Sequence, residues 1–148
     1  GATAVNNTAQ HAICQAVAAM LASLPMVGSG DVRVQRRRPM PQAVVAQVFV
    51  FYDESTPTLK TSDSIVWKTR VRIEHVARDV AGTPADAAAD AMLQESYARI
   101  LADRKLGGLA TDVEPVGIAV TGDEADTALC AGQLLVDITH RCARASIA

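Results

Sequence analysis

The chain has 148 residues, of which 49% are apolar, 20% charged and only 3% aromatic, a length and balance that fit one domain over residues 1–148 with a core of its own. A net charge of −2 gives no electrostatic case for a nucleic-acid binder, and no apolar run reaches the roughly 18–20 residues that a membrane span needs. Cys14, Cys130 and Cys142 are few, odd in number and far apart, which fits buried thiols in a reducing compartment better than a disulfide framework.

Gly1 to Asn7 lacks the basic-then-apolar order of a signal peptide, so the expectation is a soluble protein made in the cytosol. From about Thr8 to Leu24 the residues Ile13, Val17, Met20, Leu21 and Leu24 recur at helical spacing. Asn7 or Thr8 caps that helix and Pro25 stops it. After a Gly28-Ser29-Gly30 turn, Asp31 to Arg38 reads as a short strand ending in Arg36-Arg37-Arg38, broken by Pro39 and Pro41. Ala43 to Tyr52 is nearly all apolar and β-favouring, a strand buried on both faces or central in its sheet.

Asp53 to Asp63 is polar, contains Pro57 and is expected to form an exposed loop, with Asp53, Glu54, Lys60 and Asp63 as its candidate partner-binding residues. Clear alternation follows, with Ile65, Trp67, Thr69, Val71 and Ile73 on one face and Lys68, Arg70, Arg72 and Glu74 on the other. Thr83-Pro84-Ala85-Asp86 starts a second helix, with Thr83 as cap, Pro84 at the first helical position and Asp86 near the positive end of the dipole. It runs to about Asp103 and buries Met92, Leu93, Tyr97, Ile100 and Leu101. Leu106-Gly107-Gly108-Leu109 ends that unit. Strands over about Asp112 to Val120 and Thr127 to Arg141 close the chain, on either side of an acidic turn, Gly122 to Asp126. The order α-β-β-β-α-β-β predicts an α+β two-layer sandwich: a mixed or antiparallel sheet of about five strands with two main helices.

Chemistry-bearing patterns are sparse. His11, His75 and His140 share no ligand spacing and read as surface or partly buried histidines near a sheet end; no HxxxH, CxxC, GxSxG or phosphate-binding loop is present. The reading is of a non-enzymatic structural protein without metal or cofactor. Charge is spread unevenly: residues 1–80 hold nine Lys/Arg against six Asp/Glu, a balance of +3, and residues 81–148 hold five against ten, a balance of −5. Such a chain suits head-to-tail contacts. Arg36, Arg38, Arg70 and Arg72 are candidates for a subunit interface, because arginine pairs bidentately with carboxylates, and the acidic turn Asp123, Glu124 and Asp126 is their candidate counterpart. A solvated sheet face and a phosphate contact are the alternative readings of the same arginines.

The whole pattern resembles the tail terminator family of long-tailed bacteriophages, the minor tail protein U-like proteins. The resemblance covers roughly residues 8 to 142 and rests on features in order: the opening amphipathic helix; Arg36-Arg37-Arg38-Pro39-Met40-Pro41; the apolar strand Val48-Phe49-Val50-Phe51-Tyr52-Asp53-Glu54; the alternating strand Thr69-Arg70-Val71-Arg72-Ile73-Glu74; and an Ala/Asp-rich helix leading into Asp103-Arg104-Lys105-Leu106-Gly107-Gly108-Leu109. The chain departs from the family pattern at Ala43-Val44-Val45-Ala46, where a proline is frequent, and at His140, where a tyrosine is.

The resemblance implies a homo-hexameric ring, made in the host bacterial cytoplasm and carried in the virion at the head-proximal end of the tail. Its partners would be the tail tube protein and the head-completion or connector protein. Genomic DNA would pass through the lumen without specific binding, which asks for few exposed cations there and turns Arg70 and Arg72 toward a neighbouring subunit. A neck adaptor ring and a small-molecule-binding α+β domain are the alternatives.

Overall fold

A computed structural model describes residues 7–24, 32–35, 40–41, 43–80, 82–122 and 128–148. The elements follow the order expected: α1 (Ala9–Leu21), β1 (Val32–Val34), β2 (Ala46–Lys60), β3 (Ser64–Arg78), α2 (Ala85–Ala102), a short 3₁₀ turn (Leu106–Gly108), β4 (Asp112–Gly122) and β5 (Leu129–Ala143). The five strands form one mixed sheet in the order β1-β2-β3-β5-β4, with β1 parallel to β2 and the remaining pairs antiparallel.

Both helices lie on one face, α1 against β2 and α2 against β3 and β5. The core fills the space between the layers. Ile13, Val17 and Leu21 of α1 and Met92, Leu93 and Ile100 of α2 meet the inward rows Val48 and Val50, Val71 and Ile73, and Leu134, Val136 and Ile138. With so few aromatics, close approach does the work that bulk does elsewhere. Ala85, Ala88 and Ala89 are buried, and a Cβ added at Gly132 would stand 3.3 Å from the Ala89 carbonyl oxygen, so α2 lies directly on β5.

Local chemistry sets the element ends. Thr8 caps α1, its hydroxyl accepting from the His11 N–H at 3.1 Å, and the helix ends well before Pro25. For α2 the expected cap is corrected. Thr83 is held in a bridge to Val80, Pro84 sits at the cap position, and the carboxylate of Asp79 reaches across to accept from the Ala85 N–H at 2.6 Å. At the far end, Arg99 of α2 donates to the Met20 carbonyl and the Ser23 hydroxyl at 3.0 and 2.9 Å, closing the C-terminus of α1 with a cation.

The expected loop from Asp53 to Asp63 is also corrected. β2 continues to Lys60 and pairs with β3 throughout, leaving only a short turn before Ser64. Pro57 is tolerated there because, among the described residues, β1 pairs with β2 only at Val48–Val50 and β2 is an edge at Pro57, where the register also shifts.

Candidate functional site

The outer sheet face carries the alternating arginines, and the structure gives each a partner inside its own chain. Arg70 lies opposite Asp137 in register and donates to both carboxylate oxygens, at 3.0 and 3.3 Å. That hydrogen-bonded carboxylate also raises the Arg70 pKa, which keeps the guanidinium charged. Arg72 donates to Asp53 at 3.2 Å and to Glu74, and its guanidinium carbon stands 4.6 Å above the Phe51 ring. Asp53 therefore belongs to this ladder of charges. Glu54 is exposed next to it on β2, and Lys60 and Asp63 flank the hairpin turn. Arg36, Arg38, Asp123, Glu124 and Asp126 lie outside the described residues.

Two buried polar systems tie the layers together. In the first, one donor direction runs through all four side chains, and the buried Gln10 Oε1 has no hydrogen-bond partner among the described residues. Gln10 Nε2 donates to Ser55 Oγ at 3.0 Å, Ser55 to Thr69 Oγ1 at 2.7 Å, and Thr69 to His140 Nε2 at 2.7 Å, leaving His140 Nδ1–H facing Cys142 Sγ at 3.9 Å. In the second, His75 Nδ1–H donates to the Gly132 carbonyl at 2.8 Å, and Nε2 accepts from the Ser96 hydroxyl at 2.6 Å. A serine on a histidine has the outline of a nucleophile and its base. Here both groups are fully buried, so the pair acts as a bolt between α2 and the sheet.

Burial pushes the His75 pKa down to about 4, well below the usual imidazole range, and lowers that of His140. The three thiols are buried and free; burial raises each, Cys14 to about 12, so none is a thiolate at neutral pH. The expectation of surface or partly buried histidines is thus corrected for His75 and His140, which are fully buried. The signal was strand parity: His75 falls in step with Val71 and Ile73, and His140 with Val136 and Ile138.

A third feature escaped the sequence reading. β4 is an edge strand, and after the register shift between Pro115 and Gly117 its residues Ile118 and Val120 lie opposite inward-facing Leu134 and Gly132, yet beyond the cover of α2. They are 60% and 53% exposed. With Leu93, Gln94, Tyr97 and Asp90 of α2, Ile118 lines an open groove of about 260 Å³. Among the described residues no cluster of His, Cys, Asp and Glu is disposed to hold a metal, and no helix is long and apolar enough to cross a membrane.

No family profile matches the chain, and no curated protein does. Solved structures do match. One is the sheath/tube terminator, in the extended state, of an extracellular contractile injection system, PVC, determined by cryo-electron microscopy: TM-score 0.45, 13% identity, with the match spanning 96% of this chain and 60% of that one.

Proposed function

We propose that this chain is a tail terminator, a structural subunit that assembles as a ring on the end of a bacteriophage tail tube, stops tube growth, and offers its other face to the head connector. The ring is hexameric in the family that the sequence resembles, and DNA crosses its lumen unbound. The subunit works by contact and carries out no reaction.

The observation that carries this reading is the turn at Leu106-Gly107-Gly108-Leu109, the most telling piece of that resemblance. The fold has a physical need for this motif. Leu106, Gly107 and Gly108 all have positive φ, at 48°, 66° and 103°. Two glycines take such angles freely, whereas the leucine is strained by about 1 kcal/mol or more. Its side chain enters the core, 4% exposed, and the carboxylate of Asp103 accepts from the Gly107 N–H at 3.0 Å. The turn delivers β4 alongside β5. A motif that fixes the path from helix to edge strand is a fold signature, and its presence supports common architecture with the terminators.

The test is tail length, read by negative-stain electron microscopy of phage lysates made with and without the gene product. Overlong, headless tails in its absence are the expected result. Tails of normal length beside unjoined heads would assign a neck adaptor instead, and intact infectious virions would overturn the proposal.

A further inference from the structure

The β4–α2 groove and the β2–β3 hairpin end are complementary in shape class and in charge, and they lie apart on one subunit. The groove is apolar along Leu93, Tyr97 and Ile118, and Val120, exposed on the same face two residues farther along β4, extends the apolar surface. Asp90 of α2 lines it and Asp86 stands one turn earlier on the same helix; both are exposed, and neither is in an ion pair with a described residue. Among the described residues the strand β4 beside it is paired on one side only, so exposed aliphatic side chains and an open backbone edge coincide there.

The hairpin end is the opposite. Leu59 is 55% exposed, a single aliphatic knob beside Lys60. Around it stand Lys68, Arg141 and Arg144, which are exposed and contact no carboxylate of a described residue: Arg141 donates to the Ser64 hydroxyl and Arg144 to the Thr61 carbonyl. Among the described residues Asp63 is the one acid beside that turn. Ile118 is level with Leu134 of β5, and Leu59, through Val66, is level with Arg141. Seven residues of extended strand put the two features about 23 Å apart along the sheet. One chain cannot join its own knob to its own groove.

We infer that a second copy of this chain fills the groove: the Leu59–Lys60 end of one copy seats between β4 and α2 of the next, with Leu59 against Ile118 and Val120, and Lys60 toward Asp90. The contact joins two different surfaces, so it is heterologous and propagates head to tail until it closes. It deepens the ring reading given above and names the surfaces that the ring would use.

The experiment is mass measurement by light scattering on the full chain after size exclusion, with far-UV circular dichroism as the check on folding. Ile118→Lys removes the groove, and Leu59→Asp with Lys60→Glu removes the knob. Each is expected to weaken assembly roughly 30-fold, the scale of an interface hot spot, and to leave a folded monomer. Mixed, the two variants retain one intact knob and one intact groove between them, so they are expected to form a one-to-one heterodimer and go no further. If Ile118→Lys does not fold, Asp90→Lys on the exposed helix surface takes its place, and Lys60→Glu in the same chain should restore assembly.

A wild-type chain that remains monomeric at its highest soluble concentration overturns the inference, as does assembly indifferent to either variant, or a mixture that yields no heterodimer. Failure of the tail reading is seen separately. Assembly sensitive to both variants, in a protein whose loss leaves virions intact, would keep the contact and discard the terminator.

Discussion

His75 joins the sheet to α2 through two hydrogen bonds, and both require its neutral form. Its Nδ1–H is given to a backbone carbonyl, and its Nε2 must stay unprotonated to accept from Ser96. Burial holds the folded imidazole neutral down to about pH 4. In the unfolded chain the same group takes up a proton near 6.5, so between those values the unfolded state binds more protons. Stability from this residue is therefore complete above pH 6.5 and falls as the pH drops toward 4, by about 3 kcal/mol. His140, also lowered by burial, acts in the same direction. Urea unfolding from pH 7 to 4 should show this slope, and His75→Gln should flatten part of it. A variant with the wild-type slope would place the pH dependence in the carboxylates. Both histidines were legible in the strand alternation, since each continues an inward row of aliphatic residues. Polar identity outweighed parity, and the buried serine and threonine partners that make a core histidine tolerable sit far away in sequence.

At the scale of elements, the two helices are held to each other as well as to the sheet. Arg99, one turn from the end of α2, supplies donors to the Met20 carbonyl of α1 and to the hydroxyl and carbonyl of Ser23 just beyond it, and also pairs with Glu95 at 3.1 Å. Arg99→Ala should cost about 1–3 kcal/mol, because charge-assisted bonds are lost and the Met20 and Ser23 carbonyls are left short of donors. Thermal unfolding checks this, with Arg99→Lys expected in between. Gly132→Val tests the other contact. A branched side chain there meets the backbone of α2 at Ala89, and the expected loss is about 1–3 kcal/mol, with β5 pushed from the helix. The helices, the apolar start of β2 and β3 from Ile65 to Glu74 were legible, since each presents one periodic apolar face to the core. The outer half of β2 was not. Asp53, Glu54, Thr56, Thr58 and Lys60 face solvent and Pro57 interrupts the donors, so the segment has the composition of a loop. It is a strand because β3 beside it is one. The groove beside β4 was hidden for a related reason: alternation shows which residues face the helices, but not whether a helix extends far enough to cover them.

For the molecule as a whole, counting charges by sequence half overstates how polar the surface is. The basic first half spends Arg72 on Asp53 and Glu74, and Arg70 on Asp137 of the acidic second half. What remains for partners is charge set by the fold: lysines and arginines at the hairpin end, carboxylates along α2. This changes the test that the sequence reading invites, a charge reversal of Arg70. If Arg70 served a neighbouring copy, reversal would weaken assembly and leave the monomer as stable as before. With Asp137 opposite it in register, Arg70→Asp sets two carboxylates against each other within one sheet. The expected outcome is a lower urea midpoint for the monomer, restored when Asp137→Arg is placed in the same chain. Assembly should follow the folded fraction and nothing else. A reversed chain with an unchanged midpoint but no assembly, and no rescue by Asp137→Arg, would return Arg70 to the subunit interface and make the ion pair incidental.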